Sequence, residues 1–276
     1  MKRWMITGVG GGLGAALASA ALGRGDAVAG TAREAAALVA FEAVAPGRSH
    51  GFRLDLRDEE EIATVARAAE AALAGIDVLV NNAGYGLVGA VEEASAAEIR
   101  AQFEVNLFSQ MAMMRAVLPF MRARRAGHIV NVTSVSGLAT WAGTGVYCAS
   151  KFALEAIGQT LAREVAELGI AVTNVAPGGM RTDYAGRSLV AARSRIADYD
   201  GTARQAKIIL AEHVGKESGD PARVARAILA AVDAERPPMH LLLGADALHY
   251  AEGQIAALQA DIEAWRAVTL STDFGA

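Results

Sequence analysis

The sequence predicts an α/β protein: a doubly wound parallel sheet of seven strands with helices on both faces, folded as a single domain over residues 1–276. Three observations carry that expectation. Short apolar runs alternate with longer helix-patterned stretches from the first residue onward, the order of parallel strands joined by crossover helices. A glycine-rich turn follows the first apolar run and opens the first helix. No Pro-, Gly- or Ser-rich linker, low-complexity tract or internal repeat divides the chain.

Taken in order, the runs too short and apolar for helices give strands at Arg3–Thr7, Ala27–Ala32, Gly51–Asp55, Asp77–Asn81, His128–Thr133, Ala171–Ala176 and Met239–Leu243. Between and after them, longer stretches give helices at Leu13–Arg24, Glu34–Val44, Glu59–Leu73, Ala96–Arg124, Val146–Leu168, Pro221–Asp233 and Ala247–Ala267. The stretch Asp183–Gly219 keeps no sustained period and follows a strand end, where open sheets carry their ligand crevice, so it reads as a lid or substrate loop. Residues from about 246 to 276 read as a helical extension.

Composition narrows the function classes. With 53% apolar and 20% charged residues, the chain can bury a large core without staples. Its formal charge is -4 and it has no long basic run, which speaks against a nucleic-acid or anionic-membrane surface and for a small-molecule partner. Cys148 is the single cysteine and the five histidines show no zinc-like pairing, so no disulfide framework and no metal centre is expected, and a reducing, cytoplasmic setting fits. The uncharged stretch Trp4–Gly23 after Lys2 and Arg3 imitates a secretory signal, but its glycines suit a strand-turn-helix start better than a signal helix.

That start is Thr7-Gly8-Val9-Gly10-Gly11-Gly12-Leu13-Gly14. Glycines here allow a tight turn and close backbone approach to a diphosphate, which the helix N-terminus then faces; the plain alternative is a flexible glycine turn. This is the Rossmann-type arrangement. Beyond the next strand, Thr31-Ala32-Arg33 ends on a cation, favouring the 2′-phosphate of NADP(H), while the adjacent Glu34 leaves NAD(H) as the alternative.

Tyr147 and Lys151 stand at i and i+4 of a helix, so both reach from one face, and an ammonium beside a phenol favours the phenolate. Alone, such a pair is usually a helix surface pair. Ser134, at the end of the strand before it, occupies the edge where parallel sheets open their ligand crevice, and a hydroxyl there can polarise a carbonyl.

With these residues in place the sequence resembles the short-chain dehydrogenase/reductase family from Thr7 to the strand near Leu243. The motifs are Thr7-Gly8-x-x-x-Gly12-x-Gly14, Asp55-Leu56, Asn81-Asn82-Ala83-Gly84, Asn106, Ser134, Tyr147-x-x-x-Lys151, and Pro177-Gly178 followed by Thr182. The resemblance implies that Tyr147 is general acid and base, that Ser134 orients the carbonyl, and that Lys151 lowers the tyrosine pKa and holds the nicotinamide ribose. It implies that Asn106 anchors a water in a proton relay. It assigns the turn residues Gly8, Gly10, Gly11, Gly12, Leu13 and Gly14 to the phosphates, and Asp55 and Leu56 to the adenine. Asn81, Asn82, Ala83 and Gly84 go to the wall beside the adenosine ribose, and Pro177, Gly178 and Thr182 to the nicotinamide. Gly10 and Gly11 replace the small hydroxyl residues often found in that turn, so backbone amides must serve there.

Tyr85, Leu138, Trp141, Tyr184, Leu189, Val190 and Tyr199 are expected to line a greasy pocket, for a lipophilic ketone, aldehyde or secondary alcohol. The subgroup most similar in this respect is the 17β-hydroxysteroid-dehydrogenase-like reductases. Apolar residues on more than one face of Ala96–Arg124 and Val146–Leu168 point to a homodimer or homotetramer. The competing readings are an epimerase or dehydratase with the same Tyr and Lys, and a nucleotide-binding redox sensor without turnover.

Overall fold

The computed structural model describes residues 1–182, 186 and 188–274. Seven strands form one wholly parallel sheet in the order β3-β2-β1-β4-β6-β7-β9. They are β1 (Arg3–Thr7), β2 (Ala27–Ala32), β3 (Ser49–Arg53), β4 (Val78–Asn81), β6 (Gly127–Val132), β7 (Ile170–Pro177) and β9 (His240–Leu243). Each lies within two residues of its expected start and end. A second sheet, β5 (Gly86–Val88) beside β8 (Leu189–Ala191), was not expected from the sequence.

The helices, in chain order among the described residues, are α1 (Gly12–Gly23), α2 (Ala35–Glu42), α3 (Glu59–Leu73), α4 (Ala96–Phe103), α5 (Ser109–Arg124), α6 (Gly145–Val165), α7 (Gln205–Glu212), α8 (Pro221–Asp233) and α9 (Ala245–Leu270). Local chemistry fixes their starts. Asp58 accepts from Glu61 N and the first turn of α3 holds three acids, while Asp220 caps α8 with Pro221 in its first turn. The expected continuous helix Ala96–Arg124 is instead broken by a π-helical turn, Glu104–Phe108.

Side chains alternate along each strand between two cores. Met5, Leu79, Ile129 and Val172 face α3, α5 and α6, whereas Ile6, Val80, Val130 and Val175 face α1 and α8. Burial on both faces explains why the strands read as apolar runs and not as alternating patterns.

One row across the sheet is polar. Asn81, Asn131, Asn174 and His240 stand opposite one another in register. Asn81 Nδ2 donates to Asn131 Oδ1 (2.9 Å), and Asn131 Nδ2 donates to Asn174 Oδ1 (3.1 Å). Asn174 Nδ2 donates to Glu155 Oε2 of α6 (2.7 Å), so the buried amides are paired from strand to strand.

At the opposite end of β6, His128 is buried with Nε2 2.9 Å from Thr173 Oγ1. Thr173 spends its own proton on Pro238 O, so His128 Nε2 is the donor. Burial, helped by the nearby Lys2 charge, holds its pKa down at about 4. Between pH 6.5 and 4 the unfolded chain therefore binds a proton that the native state refuses. Stability should fall by about 3 kcal/mol as pH drops through that window. Denaturant titrations at pH 7 and pH 4 check this, and His128→Gln should flatten the slope.

Candidate active site

β1 pairs with β2 on one side and β4 on the other, so the sheet reverses its winding there and opens a crevice at the strands' C-terminal ends. The glycine turn fills the mouth of that crevice. Gly8 (φ 78°) and Gly12 (φ 56°) take left-handed conformations, and a β-carbon on Gly14 would stand 2.1 Å from Gly8 O. Thr7 and Asn82 clamp the turn to β4. Asn82 N and Ala83 N donate to Thr7 Oγ1 (2.9 and 3.0 Å), and Asn82 Nδ2 donates to Thr7 O (2.8 Å).

No side chain caps α1, and its first turn carries no acid, which leaves Leu13 and the neighbouring amides facing the crevice with the positive end of the helix dipole. Thr182 packs over this turn, 3.6 Å from where a Gly12 β-carbon would be. That puts it beside the start of α1. The cradle fits a dinucleotide diphosphate.

Further along the crevice, Arg33 is exposed just past β2, near Asp55. Asp55 is not a helix cap; it holds Arg57 (2.5 Å), whose hydrogen bonds and charge keep its pKa at about 2. Leu56 turns its side chain into the main core, so only its backbone is left to face an adenine. Asn81 turns into the sheet row, away from the ribose wall assigned to it.

The chemistry-bearing side chains meet at the start of α6. Lys151 is buried and donates from Nζ to Val132 O (2.9 Å), with Nζ 5.9 Å from the centre of the Tyr147 ring. Burial pulls the Lys151 pKa down to about 8, against the opposing pull of Glu155. Asn106 lies in the π-helical turn. Its Oδ1 accepts from Tyr85 N (3.1 Å), and its Nδ2 donates to Tyr85 O (2.9 Å) and Ser150 Oγ (3.2 Å). Ser150 in turn donates to Tyr147 O (2.7 Å). Gly84 sits between them, its β-carbon position 3.1 Å from Asn106 Oδ1 and 3.6 Å from Lys151 Nζ.

Ser134 opens the 3-10 turn Val135–Gly137, its Oγ accepting from Ser136 N (3.0 Å). Gly137 lets that turn lie flush on α6, because a β-carbon there would press within 3.0 Å of Lys151 O. The turn carrying Ser134 and the helix carrying Tyr147 are thus packed together.

Pro177 ends β7, and Gly178 N donates to Leu243 O (2.9 Å). Asp246, at the first turn of α9, accepts from Gly179 N (2.7 Å), and a β-carbon on Gly178 would lie 2.2 Å from its Oδ1. Sequence reasoning missed Asp246, which no motif marks. It also missed Glu155, although its i+4 spacing from Lys151 was visible, and the buried Glu93. Glu93 accepts from Ala90 N (2.9 Å), Ile196 N (2.8 Å) and Arg204 Nη2 (2.9 Å), tying the lid stretch to the body.

From residue 188 onward that stretch carries β8, the turn Ala197–Tyr199 and α7. Its residue Tyr199 donates to Glu92 Oε2 (2.6 Å), which ties this segment to the loop before α4. Leu189 stands opposite Gly86, Trp141 meets Tyr250 edge-on at 5.1 Å, and Val190 is exposed. Tyr184 lies outside the described residues.

Residues 2–191 match the family model for short chain dehydrogenases. The chain is a short-chain dehydrogenase/reductase. It is 35% identical over 272 residues to oxidoreductase BOA17 of Botryotinia fuckeliana, spanning 98% of this chain and 99% of that one. It is 33% identical over 246 residues to a 3-ketodihydrosphingosine reductase of Bacteroides thetaiotaomicron, 87% of each chain. A short-chain dehydrogenase structure from Streptomyces avermitilis superposes with a TM-score of 0.93 at 38% identity, covering 99% of this chain and 98% of that one. A relative from Burkholderia phymatum in complex with NAD superposes at 0.82 with 26% identity, covering 94% and 95%. The chain is an NAD(P)-dependent oxidoreductase. Among the described residues no cluster of His, Cys, Asp and Glu could hold a metal ion, and no helix is long and apolar enough to cross a membrane.

Proposed function

We propose that this dehydrogenase/reductase exchanges hydride between NADP(H) and a lipophilic ketone, aldehyde or secondary alcohol, with Tyr147 as general acid and base. The observation that carries the reading is the buried Lys151 ammonium under the Tyr147 ring, with Asn106 and Ser150 behind it. When bound, NADPH supplies the hydride for the carbonyl carbon. Ser134 holds the carbonyl oxygen and Tyr147 gives that oxygen a proton, leaving an alcohol; in oxidation Tyr147 takes the proton back. Lys151 stabilises the phenolate formed in between and reaches the nicotinamide ribose, and Asn106 orders a water that returns protons to Tyr147. Gly8, Gly10, Gly11, Gly12, Leu13 and Gly14 cradle the diphosphate. Asp55, the Leu56 backbone and the Asn82–Gly84 segment flank the adenosine, and Pro177 and Gly178 flank the nicotinamide, with Thr182 closing over the phosphates.

The substrate class rests on the apolar and aromatic residues Tyr85, Leu138, Trp141 and Leu189 and agrees with the relative named for reducing a keto compound. Two copies pair through the surfaces of α5 and α6 and the π-helical turn, where Phe108 and Phe152 are exposed, in a cytoplasmic setting consistent with the one, buried, free cysteine.

Arg33 is the residue that selects the cofactor: exposed beside the ribose end of the crevice, it supplies a cation for the 2′-phosphate. Arg33→Ala should raise the KM for NADPH about tenfold or more, the loss of one charge-assisted contact of ~1.5–3 kcal/mol, with little change for NADH. Equal losses for both cofactors would remove the 2′-phosphate from the reading.

A further inference from the structure

Helix α9 leaves the body of the protein after its second turn. Ala247 and Ala251 are buried (0% and 3% exposed), but every residue from Glu252 to Phe274 is exposed. At 1.5 Å per residue, Glu252–Leu270 makes an arm of about 28 Å. On it Ile255, Leu258, Ile262 and Trp265 stand 57%, 58%, 52% and 64% exposed.

These large side chains are not scattered. Leu248, Ala251, Ile255, Leu258, Ile262, Trp265 and Thr269 follow one another in alternating steps of three and four, a repeat of 3.5 residues. Such a two-in-seven seam is narrower than the stripe of a helix lying on a globular core; it is the pattern of a helix that packs against another helix. The other sides of the arm carry Gly253, Ala256, Ala257, Ala260, Ala264 and Ala267, and large apolar groups off the seam, Val268 and Leu270, come only at its far end. A bilayer surface is a poor occupant. The arm holds one cation, Arg266, against Glu252, Asp261 and Glu263, whereas interfacial helices are rich in Lys and Arg.

We infer that the arm pairs antiparallel with the arm of a second copy of this chain. Leu258 then packs on Ile262 of the second copy and Ile255 on Trp265 of the second copy, each contact made twice, giving four apolar layers around a two-fold axis. The charges agree with this alignment. Glu252 and Arg266 flank the seam on the same side, fourteen residues apart, so each Arg266, which pairs with Glu263 of its own helix (2.8 Å), also faces Glu252 of the second copy. The position of the body decides the direction. It covers the seam side of α9 at Ala247 and Ala251, so parallel arms would bring two bodies to one place, and antiparallel arms hold them at opposite ends. This contact is separate from the α5 and α6 surface.

Light scattering on the full chain and on Ile255→Glu/Ile262→Glu tests it. Both positions lie outside the core, and near-UV circular dichroism checks that the variant is folded. The particle mass should halve in the variant. Arg266→Glu should raise the dissociation constant of that step about tenfold, since two flanking pairs turn repulsive, and Glu252→Arg/Arg266→Glu should restore it. Asp261→Asn should tighten the contact, because the antiparallel alignment sets the two Asp261 side chains near the axis. A full chain that is monomeric at micromolar concentration, or a variant of unchanged mass, overturns the pairing. Failure of the charge swap to restore it overturns the antiparallel alignment. Monomeric full chain that sediments with phosphatidylcholine vesicles gives the seam to a lipid surface instead.

Discussion

Tyr147→Phe should lower kcat for ketone reduction by about 100- to 10,000-fold, the usual contribution of a positioned general acid. The phenyl ring keeps the packing of Tyr147 on α6 and removes the one oxygen that can deliver the proton. NADPH binding, followed by fluorescence, should therefore stay close to that of the parent enzyme, so that the loss appears in kcat and not in the cofactor KM. Full activity in the variant would remove Tyr147 from the mechanism.

The pH profile supplies an independent reading of the same site. Burial sets the Lys151 pKa at about 8, so its ammonium is present below that pH and is lost as pH rises through it. Reduction by the parent enzyme should fall along a single ionisation near pH 8. This limb cannot be confused with unfolding: a lysine whose folded pKa lies below its usual 10.5 leaves the unfolded chain binding more protons between pH 8 and 10.5. Through this group, stability rises with pH in that range while activity declines. A flat profile through pH 8, with the protein folded, would argue against a titrating Lys151.

The second large effect concerns the glycine turn. Gly14→Ala puts a methyl group 2.1 Å from Gly8 O and 2.6 Å from Asn82 Nδ2, against backbone and against the clamp that fixes the turn to β4. Relief requires the turn to move. Overpacking of this kind destabilises by about 1–3 kcal/mol, equal to a fall in Tm of roughly 2–4 °C per kcal/mol for a chain near this size. NADPH affinity should drop by about tenfold or more, because the amides of the turn no longer point at one place. Gly11→Ala is the control for stability: a β-carbon there meets nothing within 4 Å and its backbone is extended (φ 172°), so its Tm should be unchanged. Equal thermal shifts in the two variants would mean that the close approach at Gly14 is not what shapes the turn.

The motif residues were legible because each sits where local chain chemistry already fixes its direction. Gly8 to Gly14 join a strand to a helix, Tyr147 and Lys151 share one helix face, and Ser134 ends a strand. Asn106 was legible only by family resemblance, since a lone polar residue within an expected continuous helix carries no signal of its own. Its use depends on the π-helical turn at Glu104–Phe108, which directs its amide to Tyr85 and Ser150. β5 and β8 were invisible because three-residue strands show no period, and each pairs only with a segment about a hundred residues away.

By itself, then, the sequence determined the parallel sheet, the glycine turn and the shared helix face of Tyr147 and Lys151, because hydrophobic period, turn chemistry and helix spacing act over a few residues. Only the tertiary structure decided how those groups are tuned and enclosed. Lys151 loses its ordinary pKa through burial, and Glu93 and Asp246 bind distant segments to the site through backbone amides. The Asn81 side chain is held in the sheet because Asn131 stands opposite it. These are effects of desolvation and of contacts between residues far apart in the chain, and no local pattern encodes them.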